Sequence, residues 1–355
     1  MNQTGRIVLC VICGLLMLAA PFLFSAPGML SGVQWELMET LEEGDELELD
    51  FGRLLFPGAL AEEAEAGEDE LIEETVSEGD SDLGPAVYEL PLDFTVPPAP
   101  KAENYTENGY EDESIRVSVE DREADGVNWH IAFVQIASPT QLRTATSVPG
   151  KLMPKRDASV TQMAASNHAV VAMNGDYYMK DPAKTTFEYR MTQKIRSKTN
   201  SKKDMLIIDE NGDFHLVKAA DKKEQSAALE AVAKEHTIVN AFTFGPALVI
   251  DGEKQQISTE YGYNPNRTEP RAAIGQIGHL SYVMVIAEGR GESSGVTQQG
   301  LADFMAELGC VQAFNLDGGN SAEMAFGDKV YKGMPGGDER GLSDIIYFAT
   351  AIPEE

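Results

Sequence analysis

A carboxylate and a hydroxyl stand on a glycine-rich turn in residues 314–321, whose sequence is FNLDGGNS. The apolar residues before the turn predict a short buried strand. Gly318 and Gly319 permit backbone angles and a close ligand approach that side chains would block. Asp317 and Ser321 are therefore candidates for a binding or catalytic site. The alternative is a tight turn in which the aspartate caps its own backbone, and an isolated Asp-Gly-Gly does not decide between the two.

A strand, a loop and a helix precede this turn and carry a second carboxylate. Residues 280–287 are largely apolar and branched, which predicts a strand that ends at Glu288. Thr297 has the residue type of a helix N-cap, and apolar residues at helical spacing predict a helix up to Leu308. We expect the strands before Glu288 and Asp317 to be neighbours, so that both carboxylates leave from C-terminal strand ends.

Five short segments, taken in their order and spacing, resemble the phosphodiester glycosidase family. With the flanking strands, the resemblance covers roughly residues 114–350. The animal member of this family removes N-acetylglucosamine from a mannose-phosphate diester, and bacterial relatives are often labelled exopolysaccharide biosynthesis proteins. The matching segments are NGDYY at 174–178, FGPALV at 244–249 followed by Asp251 and Gly252, RAAIG at 271–275, EGR at 288–290 and the turn at 315–321.

The resemblance implies hydrolysis of a sugar-1-phosphodiester. Such a cleavage passes through a cationic, oxocarbenium-like sugar, so the site needs one carboxylate near the anomeric carbon and another group that handles a proton. Asp317 is the predicted carboxylate at the sugar, with Glu288 or Asp176 as its partner. Asp176 either supplies this carboxylate or caps a turn. The roles of acid, base and nucleophile stay open, because about 5 Å between the carboxyl groups would indicate retention and about 6.5–9.5 Å inversion.

Arg271 is the predicted cation for the phosphate, because a guanidinium holds two phosphate oxygens in a planar fork that lysine lacks. The alternative is a surface ion pair of Arg271 with Glu269. Asn174 either contacts the substrate or orients a carboxylate, or else forms an Asn-Gly turn. Arg340 either faces the site or forms a salt bridge beside a hairpin. The predicted substrate-binding residues are Asn174, Gly175, Arg271, Arg290, Gly318, Gly319, Ser321 and Arg340.

An apolar segment at residues 7–30 determines the predicted location. It is long enough to span a bilayer and follows the basic Arg6, a pattern that suits both an uncleaved anchor and a signal peptide. We expect residues 1–31 to be a single-pass anchor in the cell membrane with the rest of the chain outside the cytoplasm, or a signal whose cleavage leads to secretion. Cys10 and Cys13 lie inside this segment, where nothing else indicates a redox or metal site.

Residues 32–113 are rich in glutamate, aspartate, proline and small residues, and they predict a disordered acidic linker. Few bulky residues stand among many like charges, so the segment cannot bury enough surface to offset the cost of ordering. The net charge of −30 is mainly a property of this linker and argues against a nucleic-acid partner. The basic stretch 194–203 is interpreted as a solvated loop, with contact to an anionic glycan as the alternative.

The remaining residues, 114–355, predict one α+β domain that carries the phosphodiester glycosidase-like sequence. Alternating and branched runs predict many strands, and helical signals are confined to residues 159–167, 224–235 and 297–308. We therefore expect a mixed or antiparallel sheet with a few packed helices, preceded by the membrane segment and the linker.

No cofactor or metal is predicted from the sequence. The five histidines are scattered and match no zinc motif, although a cation held by Asp317 and other oxygen atoms is left open. The histidines are His130, His168, His215, His236 and His279.

The sequence thus predicts a membrane-anchored, extracytoplasmic hydrolase that cleaves a sugar-1-phosphodiester, with an N-acetylglucosamine-like sugar, in surface polysaccharide or a related glycan. Its partners would be this glycan and the membrane. The alternative is a non-catalytic glycan-binding or exopolysaccharide assembly protein. The oligomeric state and the exact sugar are not determined by the sequence.

Overall fold

The computed structural model describes residues 90, 95–151, 157–176, 187–199, 202–218, 221–327, 329–332 and 339–353. The predicted membrane segment and most of the predicted linker lie outside the described residues, as do Tyr177 and Tyr178 of the NGDYY segment. No helix in the described part of the chain combines the length and the hydropathy needed to cross a bilayer.

Strands dominate the described residues. In chain order the strands are β1 (Tyr105–Thr106), β2 (Gly109–Glu111), β3 (Ile115–Ala124), β4 (Val127–Ile136), β5 (Leu142–Thr146), β6 (Ala169–Asn174), β7 (Phe187–Arg190), β8 (Gln193–Ser197), β9 (Met205–Asp209), β10 (Phe214–Val217), β11 (Ile238–Phe242), β12 (Ala247–Ile250), β13 (Glu253–Lys254), β14 (Arg271–Gly278), β15 (Ser281–Ala287), β16 (Gln312–Leu316), β17 (Met324–Phe326), β18 (Lys329–Lys332) and β19 (Asp344–Ala349). The α-helices are α1 (Val160–Ser166), α2 (Lys222–Glu235) and α3 (Gln298–Glu307).

The strands form three sheets in which every described pairing is antiparallel. The large sheet has the order β1-β2-β3-β4-β15-β14-β16-β12-β13, and the two five-stranded sheets have the orders β10-β9-β11-β7-β8 and β18-β17-β6-β19-β5. The prediction of an α+β fold with an antiparallel sheet is confirmed for the described residues.

The large sheet is buried on both faces, which explains the nearly continuous apolar sequence of its central strands. Along β15, Met284 and Ile286 pack with residues of the other two sheets, whereas Val283 and Val285 pack against α3, as the two-residue period of a strand requires. On the α3 side, Trp129 stacks on Phe304 with 3.7 Å between ring centroids. Strand ends, rather than strand centres, are therefore the positions left for a site.

The predicted adjacency of the strands before Glu288 and Asp317 is wrong. Strand β14 lies between them and pairs with β15 on one side and with β16 on the other. Because both flanking strands are antiparallel to β14, they run in the same direction, and both acidic residues still follow C-terminal strand ends at one edge of the sheet. The two carboxylates are therefore farther apart across the sheet than predicted, because they follow strands that are separated by one intervening strand.

The first two strands of the large sheet fall within the range predicted as linker. Gly109 and Tyr110 of β2 pair with Ser118 and Val117 of β3. The boundary at residue 114 therefore lies inside the sheet, because the few aromatic residues before it pack locally: Tyr110 is buried and meets Tyr105 edge to face.

Candidate active site

A small pocket lies where the C-terminal ends of β6 and β16 meet the residues that lead into β19. It encloses about 240 Å³ of empty space, part of which is open to solvent. Two of the three predicted catalytic carboxylates and one predicted substrate-binding cation lie in its wall. The lining residues are Asp157, Asp176, Asp317, Arg340, Gly341, Leu342 and Ser343.

Asp317 occupies a desolvated position at the end of β16. Burial raises the pKa of its carboxyl group to about 6, and the charge of Asp176 adds to this rise. Hydrogen bonds from Ser321 and from the Gly318 amide, together with the positive charge of Arg340, oppose the shift. A carboxyl group with a pKa close to neutrality changes its protonation state easily at working pH, which is the property required of an acid or base catalyst.

The glycines of the turn serve close backbone contacts. The Gly319 amide donates to the Pro270 carbonyl at 2.8 Å, and a side-chain carbon on Gly318 would lie 2.8 Å from that same oxygen. Gly319 has a φ of 62°, in the left-handed region that favours glycine. The turn is therefore held against the start of β14. Ser321, at its end, is buried and donates toward Asp317 rather than toward solvent.

Asn174 fastens the end of β6 to the turn. Its side-chain amide nitrogen donates to the Asp317 carbonyl at 2.6 Å, and its side-chain oxygen accepts from the Glu323 amide at 3.2 Å. With its side chain buried by these backbone partners, Asn174 positions the catalytic candidate. The prediction that it contacts substrate stays a prediction. Gly175 lies beside the Asp344 carboxylate, which would be 2.8 Å or less from an added side-chain carbon.

Asp176 is positioned by two neighbouring elements. Its backbone amide donates to Asp344 Oδ1 at 3.0 Å, and its carboxylate Oδ2 accepts from the Thr243 amide at 2.8 Å. Asp344 in turn forms an ion pair with Arg190, in which Nε and Nη2 both lie 2.7 Å from Oδ2 and both side chains are fully buried. The Asp176 carboxylate thus contacts the residue that follows β11, and its two open interpretations stay predictions.

A further buried carboxyl group, Glu188, lies near Asp176 and was not among the predicted site residues. Burial raises the pKa of Glu188 to about 8, and Asp176 adds to the rise, while Arg190 and Arg196 oppose it. Arg196 Nη1 donates to Glu188 Oε2 at 3.0 Å, so this carboxyl group has a basic partner of its own. No local sequence signal identified Glu188, because the alternation of side chains along β7 predicts only which face of the sheet this residue occupies.

Lys203 is a second residue that the sequence did not single out from its basic stretch. Its ammonium group lies 3.3 Å from the ring centroid of Tyr263, which stacks on Phe244. Burial lowers the pKa of Lys203 to about 8, an effect that Asp176 and Asp204 oppose. Lys203 thus lies close to the acidic pocket instead of in a fully solvated loop.

Glu288, the third predicted catalytic residue, is directed away from β16. Its carboxylate accepts from Asn128 Nδ2 at 3.0 Å and lies 2.9 Å from Nε2 of buried His130, both residues of β4. Since β4 and β14 lie on opposite sides of β15, these contacts orient the carboxylate away from Asp317. Glu288 does not line the pocket described above.

Arg290 borders the glycine turn and is bound by protein groups. Its guanidinium donates to Glu269 Oε2, with Nε 2.8 Å away, and also to Asn320 Oδ1. It lies next to Gly319, at 3.4 Å from the position of an added side-chain carbon. A substrate role for Arg290 stays a prediction. Glu269, the predicted alternative ion-pair partner of Arg271, is paired with Arg290 instead.

Arg271 stabilises a loop in this structure. Nε donates to the Val296 carbonyl at 3.2 Å, Nη1 to the Tyr263 carbonyl at 3.0 Å and Nη2 to the carbonyls of Asn264 and Arg267 at 2.8 and 3.1 Å. Burial lowers the pKa of Arg271 to about 10, so the group stays charged at neutral pH. Its donors face the loop that carries Tyr263, and it is not among the pocket residues.

Replacing Arg271 with lysine is expected to lower the free energy of unfolding by about 2 kcal/mol, because one ammonium group cannot satisfy carbonyls that a planar fork reaches together. Urea unfolding followed by circular dichroism measures this. The matched control is Arg267→Lys, which keeps the accepting carbonyl and changes an exposed side chain. Equal stability of the two variants would contradict the loop-holding role of Arg271.

The fold and the pocket define an α+β protein with a carboxylate site at strand ends. A model of the phosphodiester glycosidase family matches residues 167–349, just over half of the chain. The chain therefore belongs to the phosphodiester glycosidase family, as the sequence predicted. The pocket carboxylates Asp176 and Asp317 and the cation Arg340 all lie inside the matched range.

Comparison with individual proteins finds a solved structure with a similar fold and a relative that matches over part of its length. The catalytic domain of zebrafish N-acetylglucosamine-1-phosphodiester alpha-N-acetylglucosaminidase, auto-inhibited by its pro-peptide, is similar with a TM-score of 0.53 and 15% identity over 75% of this chain and 94% of that one. The SPbeta prophage-derived uncharacterized protein YomE of Bacillus subtilis (strain 168) is 33% identical over 108 residues. These residues are 30% of this chain and only 17% of YomE. The solved structure thus supports the fold alone.

Proposed function

We propose that this protein hydrolyses a sugar-1-phosphodiester, with an N-acetylglucosamine-like sugar, in surface polysaccharide or a related glycan. The observation that carries the proposal is the presence of Asp317, Asp176 and Arg340 in the wall of one pocket. Family membership supports the reaction class. The zebrafish relative, whose name specifies an N-acetylglucosamine-1-phosphodiester, supports the choice of sugar.

The proposed reaction breaks the bond between the anomeric carbon and the phosphate oxygen. A phosphate monoester leaves without needing a proton, so the carboxylates serve the sugar and the attacking water rather than the leaving group. The cationic sugar of the transition state is stabilised by a nearby carboxylate. Asp317 takes this role in its ionised form, and Asp176 is its partner. Glu288 is not assigned a step, because its carboxylate is directed toward β4.

Arg340 is the proposed cation for the phosphate. Its side chain is partly buried in the pocket wall, and among the described residues it forms no ion pair with another side chain. Its guanidinium is thus available to hold two phosphate oxygens in a planar fork. Lys203 provides a second positive charge near Asp176. This assignment moves the phosphate role from Arg271, whose donors hold the loop.

The test is hydrolysis of an N-acetylglucosamine-1-phosphodiester by the full chain in oxygen-18-labelled water. Cleavage at the anomeric carbon places the label in the released sugar, whereas attack at phosphorus places it in the phosphate monoester. Label in the sugar supports the proposal, and label in the phosphate overturns it in favour of a phosphodiesterase. Binding without turnover by the folded protein, over several sugar phosphodiesters, would favour the glycan-binding alternative.

Replacing Arg340 with alanine is expected to raise KM for the phosphodiester about 10–100-fold, because a charge-assisted hydrogen bond contributes roughly 1.5–3 kcal/mol. Steady-state kinetics measure this, with inorganic phosphate as a competitive inhibitor. Arg122→Ala is the control, since it removes the same charge from an exposed pair outside the pocket. Unchanged KM and unchanged inhibition by phosphate in Arg340→Ala would contradict the assignment.

The location is also a proposal. Anchoring through residues 7–30 would hold the folded domain outside the cytoplasm, where surface glycans are accessible. Membrane fractionation of the full chain and of a chain that begins at residue 32 tests it. Recovery of both forms in the same soluble fraction would contradict an anchor, and a shortened mature N-terminus in the recovered protein would instead indicate a cleaved signal.

A further inference from the structure

Three side chains that are distant in sequence converge at one end of the β10-β9-β11-β7-β8 sheet. Asp209 is the last residue of β9, His215 lies on β10, and His236 directly follows α2. The Asp209 side chain is fully buried, whereas the two histidine side chains are 29% and 28% exposed. The two imidazole rings are therefore partly accessible to solvent, while the carboxylate is held within the protein.

The donor atoms of these residues are close enough to share one ion. Asp209 Oδ2 lies 2.9 Å from His215 Nε2 and 3.1 Å from His236 Nδ1, and all three atoms lie within 4.8 Å of one another. Ligands of a tetrahedral metal with bonds of about 2.0–2.1 Å are roughly 3.4 Å apart. The two contacts of Asp209 Oδ2 are within a few tenths of an ångström of this spacing, and the two imidazole nitrogens lie within 4.8 Å of each other.

Backbone hydrogen bonds orient the Asp209 carboxylate toward the two histidines. Its Oδ1 accepts from the amides of Asn211 and Asp213 at 2.8 and 3.0 Å, so that Oδ2 is the oxygen directed at both imidazoles. Such hydrogen bonds to a ligating carboxylate orient it and tune its affinity for a metal.

His236 provides an independent indication of a missing ligand. Its Nδ1 is buried and forms no hydrogen bond among the described residues, because the 3.1 Å contact with Asp209 does not have hydrogen-bond geometry. A buried ring nitrogen without a hydrogen-bond partner costs free energy that coordination would recover. The Glu210 carboxylate, 3.7 Å from this nitrogen, is within reach of a further coordination position.

We propose that Asp209, His215 and His236 bind a divalent transition metal, with zinc as the best match to two imidazoles and one carboxylate. The site is structural: it joins the β9–β10 hairpin to the end of α2. It does not serve the proposed hydrolysis, because Lys203 and Asp204, near the acidic pocket, precede the opposite end of β9. A strand rises about 3.3 Å per residue, which separates the two ends of β9 by roughly 15 Å.

Isothermal titration of the metal-stripped full chain with zinc chloride tests the proposal. The chain carries no histidine tag and contains Cys10→Ser and Cys13→Ser, which removes a competing pair of thiols. We expect one zinc ion per chain with a dissociation constant in the micromolar range or below. His215→Ala and His236→Ala should each weaken binding by at least about 100-fold. His279→Ala, which changes an exposed histidine beside a different carboxylate, should bind as the parent does.

Thermal unfolding with and without zinc compares each variant with itself, so the effect of zinc is measured separately from any loss of stability caused by the substitution. Zinc should raise the midpoint temperature of the parent and of His279→Ala, and leave those of His215→Ala and His236→Ala unchanged. Absence of zinc binding by the parent, or equal zinc binding by His236→Ala and the parent, would overturn the proposal. Either result would leave Asp209 as the hydrogen-bond partner of His215 and would not bear on the hydrolase assay.

Discussion

Replacing Asp317 with asparagine is expected to lower kcat for a sugar-1-phosphodiester by about 10²–10⁴-fold. Asparagine retains the size of the side chain and an acceptor for the Gly318 amide, but it cannot carry the negative charge that stabilises the cationic sugar. Binding should change much less, because the phosphate contacts of Arg340 remain. Initial rates of sugar release and a separate equilibrium titration of substrate analogue measure the two effects.

Asp157→Asn is the matched control for this experiment. Asp157 also lines the pocket, but it is exposed and does not follow β16. We expect it to retain most of the activity. A loss of binding parallel to the loss of rate in Asp317→Asn would indicate a binding aspartate, and full activity of that variant would exclude Asp317 as the catalytic carboxylate.

The pH profile follows from the same residue. The pKa of Asp317 is raised to about 6, so its ionised form decreases tenfold for each pH unit below that value. Because the proposed role requires the ionised form, kcat/KM should rise with pH up to about 6 and level off above it. A profile that instead falls as the pH rises through 6 would assign Asp317 as a general acid.

Replacing Arg190 with methionine is expected to lower the free energy of unfolding by about 3–5 kcal/mol. The change leaves the fully buried Asp344 carboxylate without its ion-pair partner and removes donors from the Tyr189 and Ala241 carbonyls. Burial raises the pKa of Asp344 while Arg190 opposes that rise, so the unpaired carboxyl group would be protonated at neutral pH. Urea unfolding followed by circular dichroism measures the loss.

Arg116→Met provides the comparison, since it breaks an exposed ion pair with Glu111 and should cost less than about 1 kcal/mol. The double variant Arg190→Met with Asp344→Asn should lose less stability than the sum of the single variants, because each single change already removes the same ion pair. Additive losses would show that the buried pair is not coupled. Since Asp344 also accepts from the Asp176 amide, activity should fall in every variant of this pair.

Local sequence patterns predicted much of the secondary structure, because their causes act over a few residues. Ser159 caps α1 through the Gln162 amide, and Thr297 caps α3 through the Gly300 amide. Helix α3 therefore begins where Thr297 indicated, and α1 begins within the residues that carried the helical signal. The Asp-Gly-Gly turn likewise follows from a buried strand that ends at residues with small or polar side chains. The boundary at residue 114 was misplaced because the short strands β1 and β2 depend on pairing with β3.

The sequence by itself determined the family, the α+β class and the turn that carries Asp317, since each follows from short-range order or from motifs in succession. Only the tertiary structure decided that β14 separates Glu288 from Asp317 and that Arg271 holds a loop. It also decided that Arg190 neutralises Asp344 behind Asp176, and that His215 and His236 share one carboxylate. These contacts join residues distant in the chain, and strand order and burial determine which side chains meet. Residue type alone specifies neither the order of the strands nor the burial of a side chain.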